Sequence, residues 1–140
     1  MARRWRHARP VIRAYWGGDE LCVAARPDFA KDFAAAGGVL HEGPKWTLAT
    51  VENVVRGVCG LSPLGDGVWG AWAYLADLTP REWGQAVRVG RATLGHLFQA
   101  YDARQFQAVA AEHPGAARVL EALGFAPSGD QPRLYVMRKV

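Results

Sequence analysis

The chain has 140 residues, 17 Lys and Arg against 13 Asp and Glu for a formal charge of +4, and half of its residues are hydrophobic. That is room for one domain with a real core, and it excludes wholesale disorder. No run approaches the roughly 18 apolar residues that a membrane-spanning helix needs, and the charged start MARRWRHARP has no apolar stretch behind it, as a secretory signal would.

Residues 1–9 form a basic arm, with Arg3, Arg4, Arg6 and Arg9 around Trp5. Such an arm is either solvated or a contact for phosphate or an acidic partner. A single domain is expected over 10–140. Pro10–Trp16 reads as a first strand and Gly17-Gly18 ends it. Asp19 is positioned to cap a short helix to about Ala25, and a second helix over Pro27–Ala36 starts with proline and buries Phe29 and Phe33. Cys22 and Cys59 have no CxxC partner and sit in apolar surroundings, so both are expected to be buried, reduced thiols.

From Trp46 the pattern changes to strands. Trp46–Val51 and Val54–Leu61 flank a tight turn at Glu52-Asn53, Ser62–Gly67 reads as a loop, and Val68–Leu78 is nearly all apolar. Apolar on both faces, that strand is expected to be central and covered on both sides. Thr79, Pro80 and Glu82 then spell a capping box with proline at the first helical position. The helix they open runs to Tyr101, with Trp83, Val87, Leu94, Leu97, Phe98 and Tyr101 on one side. A strand over Gln105–Ala111 follows.

Next comes Glu112–Phe125, EHPGAARVLEALGF. Ala116, Val119, Leu120 and Leu123 fall on one helical face, Pro114 suits the first turn, and Gly124 suits a left-handed cap. Arg133–Arg138 is a last strand. The element order is therefore β-α-α-β-β-β-α-β-α-β, an α/β (α+β) arrangement in which helices flank a mixed, mostly antiparallel sheet.

This order, with GAARVLEALGF near its end, resembles the GNAT acetyltransferase fold. The last helix of that family carries N-x-x-A-x-x-x-Y-x-x-x-G-F, and Ala116, Gly124 and Phe125 match it at the required spacing. His113 stands at the Asn position and Leu120 at the Tyr position. The resemblance implies an acetyl-CoA pyrophosphate at the start of the long helix, approached by [QR]-x-x-G-x-[GA]. Arg81, Gly84 and Ala86 satisfy that pattern in REWGQA, so the residues implied for acetyl-CoA are Arg81, Gly84, Ala86 and His113. The capping box places these three inside the first turns of the helix instead of in a loop, and Glu82 adds negative charge there.

In many GNAT enzymes the Tyr at the Leu120 position protonates the departing thiolate, which leucine cannot do. Tyr74, Tyr101 and Tyr135 are the other candidate acids, and Glu52, Asp77 and His96 the candidate bases. Each of the tyrosines reads more simply as packing. The four histidines and two cysteines show no metal-ligand spacing.

These departures are similar to a subgroup, the small GNAT-like proteins of short-tailed bacteriophages linked to virion morphogenesis or to the contents of the head. That resemblance implies a virion or assembly component with a degenerate acetyltransferase site. It would be partnered by phage structural protein, with DNA contact through Arg3, Arg4, Arg6 and Arg9, in the bacterial cytoplasm or incorporated into a particle. The alternative is an acetyl-CoA-dependent N-acetyltransferase with an atypical pyrophosphate loop.

Overall fold

The computed structural model describes residues 10–111 and 115–139. In chain order it has β1 (Pro10–Ala14), a 3-10 turn (Asp19–Cys22), α1 (Pro27–Ala35), β2 (Lys45–Thr50), β3 (Val55–Gly65) and β4 (Val68–Leu75). Then follow α2 (Pro80–Ala100), β5 (Gln105–Val109), α3 (Ala116–Leu123), β6 (Ala126–Pro127) and β7 (Leu134–Arg138). The strands form one sheet in the order β1-β2-β3-β4-β5-β7-β6. This is the mixed, mostly antiparallel α/β architecture that the element order predicts.

Among the described residues only β4 and β5 run parallel, because α2 carries the chain back between them. Their pairing covers three positions, Val68 with Gln105, Trp69 with Phe106 and Gly70 with Gln107. Beyond Gly70, β4 stays paired with β3 as far as Leu75, while β5 stays paired with β7 to Val109. The sheet is thus two antiparallel arms joined by a short parallel contact, with a gap where β4 and β5 part.

The residues that build α2 act as the sequence suggests. The Thr79 Oγ1 accepts from the Glu82 N–H at 3.2 Å, and Glu82 Oε1 accepts from the Thr79 N–H at 3.0 Å. At about 1.5 Å per residue the 21-residue helix is about 32 Å long. It spans two buried clusters. Trp83 and Ala86 pack against Val23, Leu48, Val58, Leu75 and Leu78, and Leu94 and Phe98 against Leu61, Phe106 and Phe125. Phe98 and Phe106 meet edge to face with centroids 4.9 Å apart. Full burial of a Phe such as Phe106 contributes about 2–3 kcal/mol.

Several expectations are corrected. Asp19 is not a helix cap: Gly18 occupies that position, and only a 3-10 turn to Cys22 follows. The Asp19 side chain turns inward instead, to the partners described below. Ser62–Gly65 is strand, not loop, because Asp66 and Gly67 both take positive φ (54° and 75°) and close a two-residue hairpin. The turn between β2 and β3 is wider than Glu52-Asn53, spanning Val51–Val54 with Thr50 N–H bonded to the Val54 carbonyl. β4 stops at Leu75 and is half-buried along most of its length, while β3 carries more of the buried positions. Cys22 is exposed. α3 begins at Ala116 with Gly115 at its N-cap, and the expectation for Pro114 lies outside the described residues. β6 had no expected counterpart. Among the described residues no helix is long and apolar enough to cross a membrane.

Candidate functional site

The gap between β4 and β5 opens toward the N-terminus of α2, because the chain leaves β4 at Leu75 and enters the helix at Pro80. On the β4 side the open stretch is Ala71–Tyr74, which pairs with β3 but not with β5; at its end the Leu75 carbonyl accepts from the Arg26 N–H at 2.9 Å and Ala76 bridges Ala25. A strand edge of this kind offers alternating N–H and C=O groups to an extended ligand.

The helix end is closed by the protein's own side chains. Of the N–H positions that open α2, those of Thr79 and Glu82 are taken by each other's side chains, and Pro80 has none. The Glu82 carboxylate also receives Arg56 from β3. Arg56 Nε donates to Oε2 at 2.8 Å and Nη2 to Oε1 at 3.0 Å, and Nη2 reaches the Asp77 carbonyl at 3.4 Å. Desolvation would raise the pKa of Glu82, but the hydrogen bonds and charge of Arg56 outweigh it and hold the carboxyl below its ordinary value. A permanent anion therefore already lies at the positive end of the helix dipole.

Of the expected cofactor residues, Arg81 and Gly84 lie on the surface of α2 and Ala86 does not. Arg81 is exposed in the first turn. Gly84 also faces outward, with no atom within 4 Å of where its Cβ would be. Ala86 packs inward against the first cluster. His113 and the basic arm with Arg3, Arg4, Arg6 and Arg9 lie outside the described residues. Leu120 packs against the second cluster.

Among the candidate acids, Tyr74 sits on the open stretch of β4 but stacks on Phe33, centroids 4.7 Å apart. Tyr101 meets Trp69 and Trp46 edge-on, and Tyr135 packs in the second cluster. The candidate bases Glu52, Asp77 and His96 are exposed. Among the described residues no group of His, Cys, Asp and Glu could hold a metal ion.

One charged group had no role in the sequence reading and another had a different one. Arg56 was the more legible, since a guanidinium inside the apolar run VVRGVCGL needs a partner. The other is Asp19. Its carboxylate accepts from Arg13 Nη1 and Nη2 at 2.9 and 3.2 Å, from Thr47 Oγ1 at 2.6 Å and from the Trp16 N–H at 2.9 Å. Desolvation pushes its pKa up, but these donors prevail and lower it to about 2. With every acceptor engaged, Asp19 locks β1, β2 and the 3-10 turn together and is not placed as a base.

Neither a protein-family model nor a curated protein matches this sequence. Solved structures do match. A GNAT-family acetyltransferase from Bacillus anthracis aligns with TM-score 0.67 over 93% of this chain and 95% of its own, at 16% identity. The Escherichia coli GNAT family N-acetyltransferase YhbS, solved in complex with CoA, aligns at 0.60 over 93% and 81%, with 17% identity. The spermidine/spermine N-acetyltransferase SpeG of Vibrio cholerae, solved as mutant forms, aligns at 0.61 over 92% and 94%, with 14% identity. At these identities the likeness establishes the fold, and the chain has the mixed α/β fold of the GNAT acetyltransferases.

Proposed function

We propose that this protein is an acetyl-CoA-dependent N-acetyltransferase with an atypical cofactor end. The observation that carries this reading is the gap between β4 and β5, bordered by the Ala71–Tyr74 edge of β4 and reached from the start of α2. A narrow cleft with one unpaired strand edge suits an extended amide-bearing arm, which can bond to the edge as an added strand. One GNAT-fold neighbour is solved with CoA, which supports the same assignment. Acetyl-CoA would supply the activated acetyl group, and the fold would supply position, the largest single contribution available without an acid or base at hand.

The strand edge in the gap suits the amide-bearing arm of that cofactor, but the end of α2 does not suit a diphosphate. Glu82 fills it, and Ala86 is turned inward. Arg81 and the open flank of Gly84 are the parts of the REWGQA pattern left on the surface, with His113 assigned by resemblance alone.

The closed helix end favours one second reading. With Glu82 at the helix end and leucine at position 120, the fold would serve as a binding component, of a phage particle or its assembly, with the arginine arm as a contact for DNA or phage structural protein.

Calorimetry with acetyl-CoA separates the two. Micromolar binding, with thiol release when amines are added, is expected of the transferase. An absence of heat at millimolar cofactor overturns it. Copurification with particles would then be the outcome that supports the second reading.

A further inference from the structure

A shallow cavity of about 420 Å³, open to solvent and with Arg91 and Arg138 exposed at its rim, lies away from the gap, between α2, the C-terminal end of α3 and β7. Its wall is largely apolar, with Leu123, Pro127 and Met137, and it carries two cations, Arg91 and Arg138. Among the described residues no carboxylate lines it and none pairs with Arg91. Arg138 donates only a long bond, 3.3 Å, from Nε to Gln105 Oε1.

Gly95 also lines the cavity. Glycine is among the worst residues for a helix interior. Gly90, on the same helix, has a packing reason, since a Cβ there would stand 3.0 Å from Leu123 Cδ2. Gly95 has none: nothing lies within 4 Å of its Cβ position. The space beside it is the cavity, and a side chain at 95 would project into it.

The cavity is separate from the proposed cofactor gap. Met137 and Arg138 pair with Phe106 and Gln105, at the closed end of the β4–β5 contact. Arg91 is 11 residues into α2, about 16 Å from the helix start at 1.5 Å per residue.

We infer that this cavity is a binding site for a small amphipathic oxyanion, a carboxylate or phosphate monoester carrying a short apolar chain. Guanidinium groups recognise both headgroups through paired N–H donors, and the Leu123–Pro127–Met137 wall covers one side of the chain. The size falls in the range of small-molecule sites. This inference does not depend on the acetyltransferase reading.

Calorimetry on the full chain would use hexanoate and hexyl phosphate as the two oxyanion arms, with hexylamine as the charge control. Saturable binding of one or both oxyanions, with no binding of hexylamine, is expected, and the tighter arm identifies the headgroup. Arg91→Gln should weaken binding by about tenfold, and Gly95→Leu should abolish it by filling the cavity. Gly95→Ala keeps the test independent of folding: it should raise the melting temperature while weakening binding. Failure of both oxyanions to bind at millimolar concentration overturns the site. So does equal binding of hexylamine, or binding that survives Gly95→Leu. A dimer in sedimentation that Gly95→Leu dissociates would also overturn it, assigning the face to a second copy of the chain.

Discussion

Arg56 on β3 and Glu82 on α2 are joined by two parallel hydrogen bonds of 2.8 and 3.0 Å, and the same carboxylate closes the capping box with Thr79. One side chain thus fastens the helix to the sheet and fills the helix end. Glu82→Gln keeps a residue able to serve the capping box but removes the charge that Arg56 faces. It should cost about 1–2 kcal/mol, and Glu82→Ala about 1 kcal/mol more through loss of the cap. Urea midpoints at neutral pH check both.

The pH dependence has a definite sign. The folded-state pKa of Glu82 lies below the ordinary glutamate value of 4.5. Its stabilisation is therefore complete above that value and fades as pH falls through the lowered folded pKa. The gap between wild type and Glu82→Gln should narrow on acidification from neutral pH to about pH 3. Under the acetyltransferase reading, Glu82→Gln should also tighten acetyl-CoA by about 1 kcal/mol, because it removes an anion from the place a diphosphate approaches.

Asp19 gives a second, steeper acid response. Its pKa falls from 3.8 to about 2 on folding, which is worth about 2 kcal/mol at neutral pH. That stability is present above about pH 4 and is lost toward about pH 2 as the carboxyl protonates. Asp19→Ala strands the half-buried Arg13 guanidinium and the buried Thr47 hydroxyl, and should cost about 3–5 kcal/mol at pH 7. Thermal melts of the variant across this range should be flatter than those of the wild type.

These two ion pairs also mark the limit of sequence reading. The start of α2 was legible because Thr79, Pro80 and Glu82 act within one turn. The Arg56–Glu82 pair spans 26 residues; Asp19 is six residues from its ion-pair partner Arg13, but its hydrogen bond from Thr47 spans 28, so no pattern within one turn announces either. Asp19 was misread for that reason: an aspartate after Gly-Gly is a good cap by local chemistry, and only the folded sheet brings Arg13 and Thr47 to it. The Asp66-Gly67 hairpin was a different miss, since Asp-Gly is a strong hairpin signal that the surrounding Ser, Pro and Gly disguised as a loop. The family pattern in α3 was read from Ala116, Gly124 and Phe125, and the fold agrees. Whether Arg81, Gly84 and Ala86 serve a cofactor was not legible, because that depends on what occupies the helix end in space.

The two thiols should behave differently. Cys22 is exposed. Burial pushes the Cys59 thiol up to about 12, so almost no thiolate is present at pH 8. An aromatic disulfide reagent should titrate one thiol quickly in the native protein and the second only on unfolding. Cys22→Ser should remove the fast phase. A fast reaction that persists in Cys22→Ser would contradict the raised thiol pKa of the half-buried Cys59.

The glycines of α2 and β3 offer a test in which the same substitution has opposite signs. At Gly60 an added Cβ would stand 2.6 Å from the Trp72 ring and 2.7 Å from the Pro44 carbonyl oxygen. The ring could shift, but the carbonyl belongs to the segment whose oxygen accepts from the Leu61 N–H, so the strand itself must give way. Gly60→Ala should cost about 2–3 kcal/mol through overpacking. At Gly84 nothing lies within 4 Å, and the φ angle is not in the left-handed region. There the change only improves helix propensity and should add about 1 kcal/mol. The Gly84 result also bears on function. A glycine kept so that a phosphate can approach the backbone would, as alanine, stabilise the fold and weaken acetyl-CoA binding together. A glycine without that duty would stabilise the fold and leave acetyl-CoA binding unchanged. Melting temperature and calorimetry on the one variant Gly84→Ala therefore decide whether the REWGQA segment contributes to the cofactor site or is only the first turns of a helix.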